Sequence, residues 1–224
     1  MATAIEHIDL LDFKATQLYR SQTIQVCLSN TSLNATSTPE AIFSSEILPS
    51  NGYTRASHSY AATDGGLDSN NNLYMPQVQV TFTATGGPLS WSSAFILLNG
   101  KSASGMSFQS SDVNTSSGQI TLTNHGLING DRLMFAADPA GGSLPGGIQS
   151  TVRYYVKQVD ANTLTIYTDL ALTQQVSFTN AGTGTMQAIY ASGRIVGVIQ
   201  ESVPVNLNAG QSYTYLISLG ETKS

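Results

Sequence analysis

The sequence predicts an all-β fold: an antiparallel β-sandwich interrupted by a small inserted β-barrel or sandwich domain, with a short N-terminal helix. Three observations lead there. Apolar and polar residues alternate over most recognisable segments, the period of a half-buried strand. Charged residues are only 10% of the chain, against about a quarter in ordinary globular proteins; Ser, Thr, Asn and Gln supply the polarity, which suits pleated surfaces and turns. Two glycine-bearing stretches, NGKSASG and ASG, bracket a second set of strands in the middle of the chain.

The first segment, residues 1–20, is the one place with helical spacing. Ile8, Leu11, Ala15 and Leu18 recur every three or four residues and stack on one face, while Asp9, Asp12 and Lys14 lie off it. Three turns are too short to stand alone, so this stripe is expected to be a docking or oligomer-forming anchor. From residue 21 the period becomes two. QTIQVCLS alternates through Ile24, Val26 and Leu28, and PQVQVTFTA through Val78, Val80, Phe82 and Ala84. NTSLNATSTPE and TDGGLDSNNN read as polar loops at one end of a sandwich. WSSAFILL and RIVGVIQ are more continuously apolar, as central strands are. VPVNL and SYTYLISL alternate again, and the Asn208–Gln211 break between them reads as a hairpin turn.

Between these lies the block 103–192, with its own strands GQITLTN, DRLMF, TVRYYVKQV, TLTIYTD and QVSFTN. Removing it makes FILL and GRIVGVIQ adjacent, the pattern of a domain inserted at a hairpin tip. The division is therefore an outer sandwich formed by 21–102 and 193–224, and an insertion between them.

Composition narrows the function. A net charge of −5 with nine scattered Lys and Arg argues against nucleic acid. The single cysteine, Cys27, allows no internal disulfide and reads as a small strand residue. No segment has the roughly 20 apolar residues of a membrane helix, and MATAIEHIDL lacks the basic start of a signal peptide. No cofactor is expected.

Chemistry is sought first at ITLTNHGLINGDRLMF, residues 120–135. His125 and Asp131 could pair for acid–base work, but no nucleophile accompanies them. The turn reading needs nothing further: His125-Gly126 reverses the chain, Asn129-Gly130 accepts positive φ at both positions, and Asp131 follows to receive backbone N–H groups. No catalytic and no metal-binding residue is assigned. Asp64, Asp68 and the neighbouring asparagines are calcium-type ligands without calcium-loop spacing. Glu40, Glu46, Glu201 and Glu221 show no glycosidase context, and Glu201 reads as a hairpin-loop residue.

The same stretch carries a resemblance. ITLTNHGLINGDRLMF, LPGGIQSTVRYYVKQVDANTLTIYTD and FTNAGTGTM, about residues 118 to 186, resemble a small β-module common in tailed-bacteriophage virion proteins. VCLSN, NGYTRASHSY, VQVTFTATGG, AFILL and NLNAGQSYTYLISL resemble, more loosely, small phage tail, fibre or capsid-associated proteins. The loop after VCLSN departs from them, with TSLNATSTPE where a histidine is expected. The resemblance implies a non-enzymatic virion component, made in the host cytoplasm, that forms a homotrimer and grips other virion proteins. Two alternatives stay open: a host-glycan-binding module using an aromatic such as Trp91, Tyr154 or Tyr190, and a polysaccharide depolymerase.

Overall fold

A computed structural model describes residues 19–70, 72–138 and 141–221. It is all-β, built from antiparallel sheets with little helix. The N-terminal stripe Ile8, Leu11, Ala15 and Leu18 lies outside the described residues.

The outer unit centres on a four-stranded sheet ordered β14-β6-β1-β2. These strands are β1 (Thr23–Ser29), β2 (Ala56–Ser59), β6 (Leu89–Leu98) and β14 (Arg194–Leu207). Facing it is the pair β5 (Val78–Thr83) and β15 (Ser212–Ile217). Alternation decides what each strand buries. Ile24, Val26, Leu28, Trp91 and Ile96 meet Val78, Val80, Phe82, Tyr215 and Ile217 in the sandwich core. Short strands β3 (Gly66–Leu67), β4 (Leu73–Tyr74) and β16 (Gly220–Glu221) form a small side sheet.

Arg194 and Ile195 pair with Leu98 and Leu97, so β6 and β14 are neighbours across the insertion, as the sequence suggests. The insertion stems pass so closely that a Cβ on Gly193, whose φ is +100°, would lie 2.8 Å from the Gly100 Cα. That is why both stems carry glycine at this crossing.

The block between the stems forms one seven-stranded sheet, β7-β13-β10-β11-β12-β9-β8. Its strands are β7 (Gly105–Gln109), β8 (Val113–Asn114), β9 (Gln119–Thr121), β10 (Arg132–Ala137), β11 (Tyr154–Gln158), β12 (Thr163–Tyr167) and β13 (Thr185–Tyr190). The edge strands β7 and β8 are joined by the single 3-10 turn Ser110–Asp112. So short a link between opposite edges requires the sheet to curl almost into a barrel. It encloses Ile120, Leu133, Phe135, Val156, Leu164 and Ile166.

Several expectations change. TSLNATSTPE does not end as a polar loop: α1 (Pro39–Ser44) follows, with Thr38 Oγ1 accepting the Ala41 N–H at 3.2 Å and Pro39 in the first turn. Ile42 and Phe43 bury this helix against the insertion and the outer face of the sheet. RIVGVIQ and VPVNL are one strand, because both halves of β14 pair with β6 on either side of a bulge between Gln200 and Val205. Glu201 therefore sits in a bulge rather than a hairpin loop. Asn208–Gln211 does turn the chain, with Gln211 N–H on the Asn208 carbonyl at 3.0 Å. It joins no hairpin, since β15 pairs with β5 in the facing sheet. QVSFTN is not a strand and keeps one bridge, Tyr167–Gln175, while the sheet gains β7, β8 and β13.

Candidate anion-binding cleft

Three arginines that lie far apart in the sequence meet where the two units join. Arg132 opens β10, Arg153 precedes β11 and Arg194 opens β14. All three line one cleft of about 450 Å³, with Pro39 and Phe43 of α1 and with Ser192 beside the insertion stem. One third of the chain's nine Lys and Arg thus converge. The basic residues are scattered along the sequence, but these three meet in space. Separations of 21 and 41 positions leave no local pattern that could have revealed the cluster.

The surroundings hold these groups in place. Arg153 Nε donates to Glu40 Oε1 at 2.7 Å, and its guanidinium lies 6.0 Å from the Phe43 ring centre. Arg132 lies 5.0 Å from the centre of the Tyr155 ring. The Ser192 hydroxyl accepts the Arg132 backbone N–H at 3.0 Å, fixing the start of β10. Burial acts to raise the Glu40 carboxyl, but a hydrogen bond from its own backbone N–H and the Arg153 guanidinium outweigh it and hold the group below its usual value. Both acids at the cleft are engaged: Glu40 by Arg153, and Asp131 by Lys101 Nζ at 3.0 Å. Among the described residues, Arg132 and Arg194 form no direct ion pair with a carboxylate, although the Arg132 charge also helps to lower the Glu40 carboxyl. Planar guanidinium forks in this setting suit an anionic oxygen group such as a carboxylate or phosphate.

The turn residues border this cleft through Gly130 and Asp131. His125 is buried; its Nδ1 accepts the Leu127 N–H at 2.9 Å, so the ring proton resides on Nε2, which donates to the Asp160 carbonyl at 3.1 Å. Asp131 Oδ2 accepts the Ile128 N–H at 3.0 Å, and Asn129 Oδ1 accepts the Gln158 N–H at 2.8 Å. Positive φ falls on Asn124, Gly126 and Gly130 but not on Asn129. Ile128–Asp131 is therefore a turn with glycine in its third position, and it joins no hairpin because β9 pairs with β12.

A second polar cluster clamps the insertion. Arg55 and Glu46 form a completely buried ion pair. Arg55 Nη1 donates to the Lys101 carbonyl at 3.0 Å and Nη2 to the Tyr190 carbonyl at 2.6 Å, one on each insertion stem. Tyr53 Oη donates to Glu46 Oε1 at 2.9 Å and accepts the Leu28 N–H at 3.0 Å. Burial works against the Arg55 charge, but Glu46 more than restores it and raises the pKa above its ordinary value. Glu46 thus has a structural partner in Arg55, just before β2, and the Tyr53 and Arg55 of GYTR both donate to it.

Other candidates resolve into packing. Trp91, Tyr154 and Tyr190 are buried, so none offers the open ring face that glycan stacking on them requires. Trp91 Nε1 donates to Tyr215 Oη at 2.7 Å, which donates to Glu201 Oε1 at 2.5 Å. Asp68 accepts the Asn70 and Asn72 backbone N–H groups, each at 2.8 Å, closing its own loop. Among the described residues no group of three His, Cys, Asp or Glu could hold a metal ion, and no helix is long and apolar enough to cross a membrane. No family model, curated protein or solved structure matches this chain.

Proposed function

We propose that this protein is a non-enzymatic structural component of a tailed-phage virion, an oligomeric surface protein, homotrimeric, that grips neighbouring virion proteins and displays its inserted β-module. The observation that carries this reading is the clamp between the two β units. Arg55 ties both insertion stems to the outer sheet through a buried ion pair. Around it the apolar layer of Cys27, Phe43, Phe95, Leu97, Met134 and Ile189 welds module to sandwich. A protein whose task is mechanical benefits from such rigidity, whereas an independently mobile module would transmit little force.

The surface supports the same reading. Thr81 pairs with Thr214 at 2.9 Å and Thr83 with Ser212 at 2.8 Å across the outside of β5 and β15. Such a neutral hydroxyl-rich face can be covered by another β surface without desolvating ions. The exposed apolar residues Ile128, Val159 and Leu170 lie on turns of the module. The sequence resemblance supplies the setting, a phage particle. Labelling the protein and locating its density in intact particles tests the proposal: density in a symmetric position on capsid or tail is expected, and its absence from purified particles overturns it.

A further inference from the structure

The arginine cleft carries charge that the protein itself does not balance. Arg132, Arg153 and Arg194 line it, and Lys101 reaches its wall through Asp131. Against these four cations stand two carboxylates, Glu40 on Arg153 and Asp131 on Lys101. Two positive charges remain, those of Arg132 and Arg194, on a chain whose net charge is −5. Like charges gathered in one concave site repel, and an anion seated between them relieves that repulsion.

The guanidiniums are held with donors to spare. Arg132 lies over the Tyr155 ring, 5.0 Å from its centre, which orients it without engaging an oxygen acceptor. Arg153 is anchored on Glu40 through Nε, a bond that leaves its two terminal nitrogens unused. Arg194 is exposed and follows the stem residue Gly193 directly, at the start of β14.

Size and charge select the ligand. The cleft holds about 450 Å³, within the roughly 300–1,000 Å³ of small-molecule sites. A single charged group fits it, whereas an extended polyanion would meet a chain that is acidic overall. A carboxylate brings one negative charge on a planar pair of oxygens. A phosphomonoester brings about −1.5 to −2 charges at neutral pH and three acceptor oxygens. Two unbalanced charges and three arginines from three separate segments match the phosphate. We infer that the cleft of Arg132, Arg153 and Arg194 binds a phosphate dianion, free or as the monoester of a small organic molecule. Arg132 and Arg153 belong to the insertion and Arg194 to the outer sandwich, so the bound phosphate bridges the two units beside a stem.

The site is read on purified full-length protein, so the result is independent of particle location. Calorimetric titrations with inorganic phosphate and with glycerol 3-phosphate, at constant ionic strength, should show saturable one-to-one binding, with acetate roughly tenfold weaker. Tighter binding of glycerol 3-phosphate identifies an esterified ligand; equal or tighter binding of inorganic phosphate identifies the free ion. Arg132→Gln and Arg194→Gln should each weaken phosphate binding roughly tenfold or more, and Arg194→Lys, which keeps the charge but not the fork, should weaken it less. Because Arg194 is exposed, Arg194→Gln carries the test even where Arg132→Gln lowers stability. Phosphate should also raise the thermal unfolding temperature of wild type above that in potassium chloride of matched ionic strength, an increment that Arg194→Gln loses. No saturable binding of either phosphate, acetate binding as tightly as phosphate, or an Arg194→Gln protein that binds like wild type overturns the inference.

Discussion

The two faces of the β14-β6-β1-β2 sheet solve different problems with the same strands. The inner face is a sandwich interior in which Ile24, Val26, Leu28 and Ile96 meet a second sheet. On the outer face Cys27, Phe95 and Leu97 meet α1 and the inserted module, with the Glu46–Arg55 pair at the junction. The inner face depends on non-directional apolar burial, whereas the outer face adds directional bonds to fixed carbonyls. A buried ion pair is a poor source of net stability but penalises every arrangement that leaves a charge unpaired. Here it selects one seating of the module.

That contrast can be broken at its polar element. Arg55→Ala leaves Glu46 buried without its partner and frees the carbonyls of both stems, so denaturant unfolding should lose about 3–5 kcal/mol. Replacing the pair together, Glu46→Leu with Arg55→Met, should recover much of that loss while loosening the module, seen as faster hydrogen exchange at the stems. Equal losses in the single and double variants would mean that the charges do not act as a pair. Next in size is Gly193→Ala, which meets Gly100 backbone at a positive φ and should cost about 2 kcal/mol. On the inner face Tyr215→Phe removes the link between Trp91 and Glu201. About 1–2 kcal/mol is the expected loss, read from the same denaturation curves.

The smallest effect concerns the surface turns, where no core is at stake. Backbone N–H groups of Asn72 and Gln174 hold the Asp68 and Asp169 carboxyls below their usual values. A carboxyl depressed in the folded state stabilises above its unfolded pKa of about 3.9 and loses that contribution as pH falls through its folded value. Asp68→Asn should therefore flatten the acid limb of a stability–pH curve and leave the neutral region nearly unchanged. An acid limb identical to wild type would count against the Asp68 bonds.

Some of this was legible. The alternation in QTIQVCLS and PQVQVTFTA assigns the sandwich face of β1 and β5, because a period of two leaves one side to bury. NGK and SGR marked the insertion stems, and the structure supplies the reason in the contact at Gly100 and Gly193. TSTPE held a capping threonine and an N-terminal proline, signals of α1 that a six-residue helix makes easy to pass over. The two halves of β14 read as separate strands because Glu201 to Pro204 interrupt the alternation, and only pairing with β6 unites them. The arginines of the cleft had no signature at all.

The sequence by itself determined the β character, the buried face of each alternating strand and the place where a second unit enters. Each depends on neighbours within a few residues, the range over which periodicity and turn chemistry act. Only the tertiary structure decided that SYTYLISL pairs with β5, that Arg55 holds both stems, and that Arg132, Arg153 and Arg194 share a cleft. Those are meetings of side chains and strands distant along the chain, brought about by packing, and local residue patterns do not encode which distant partners meet.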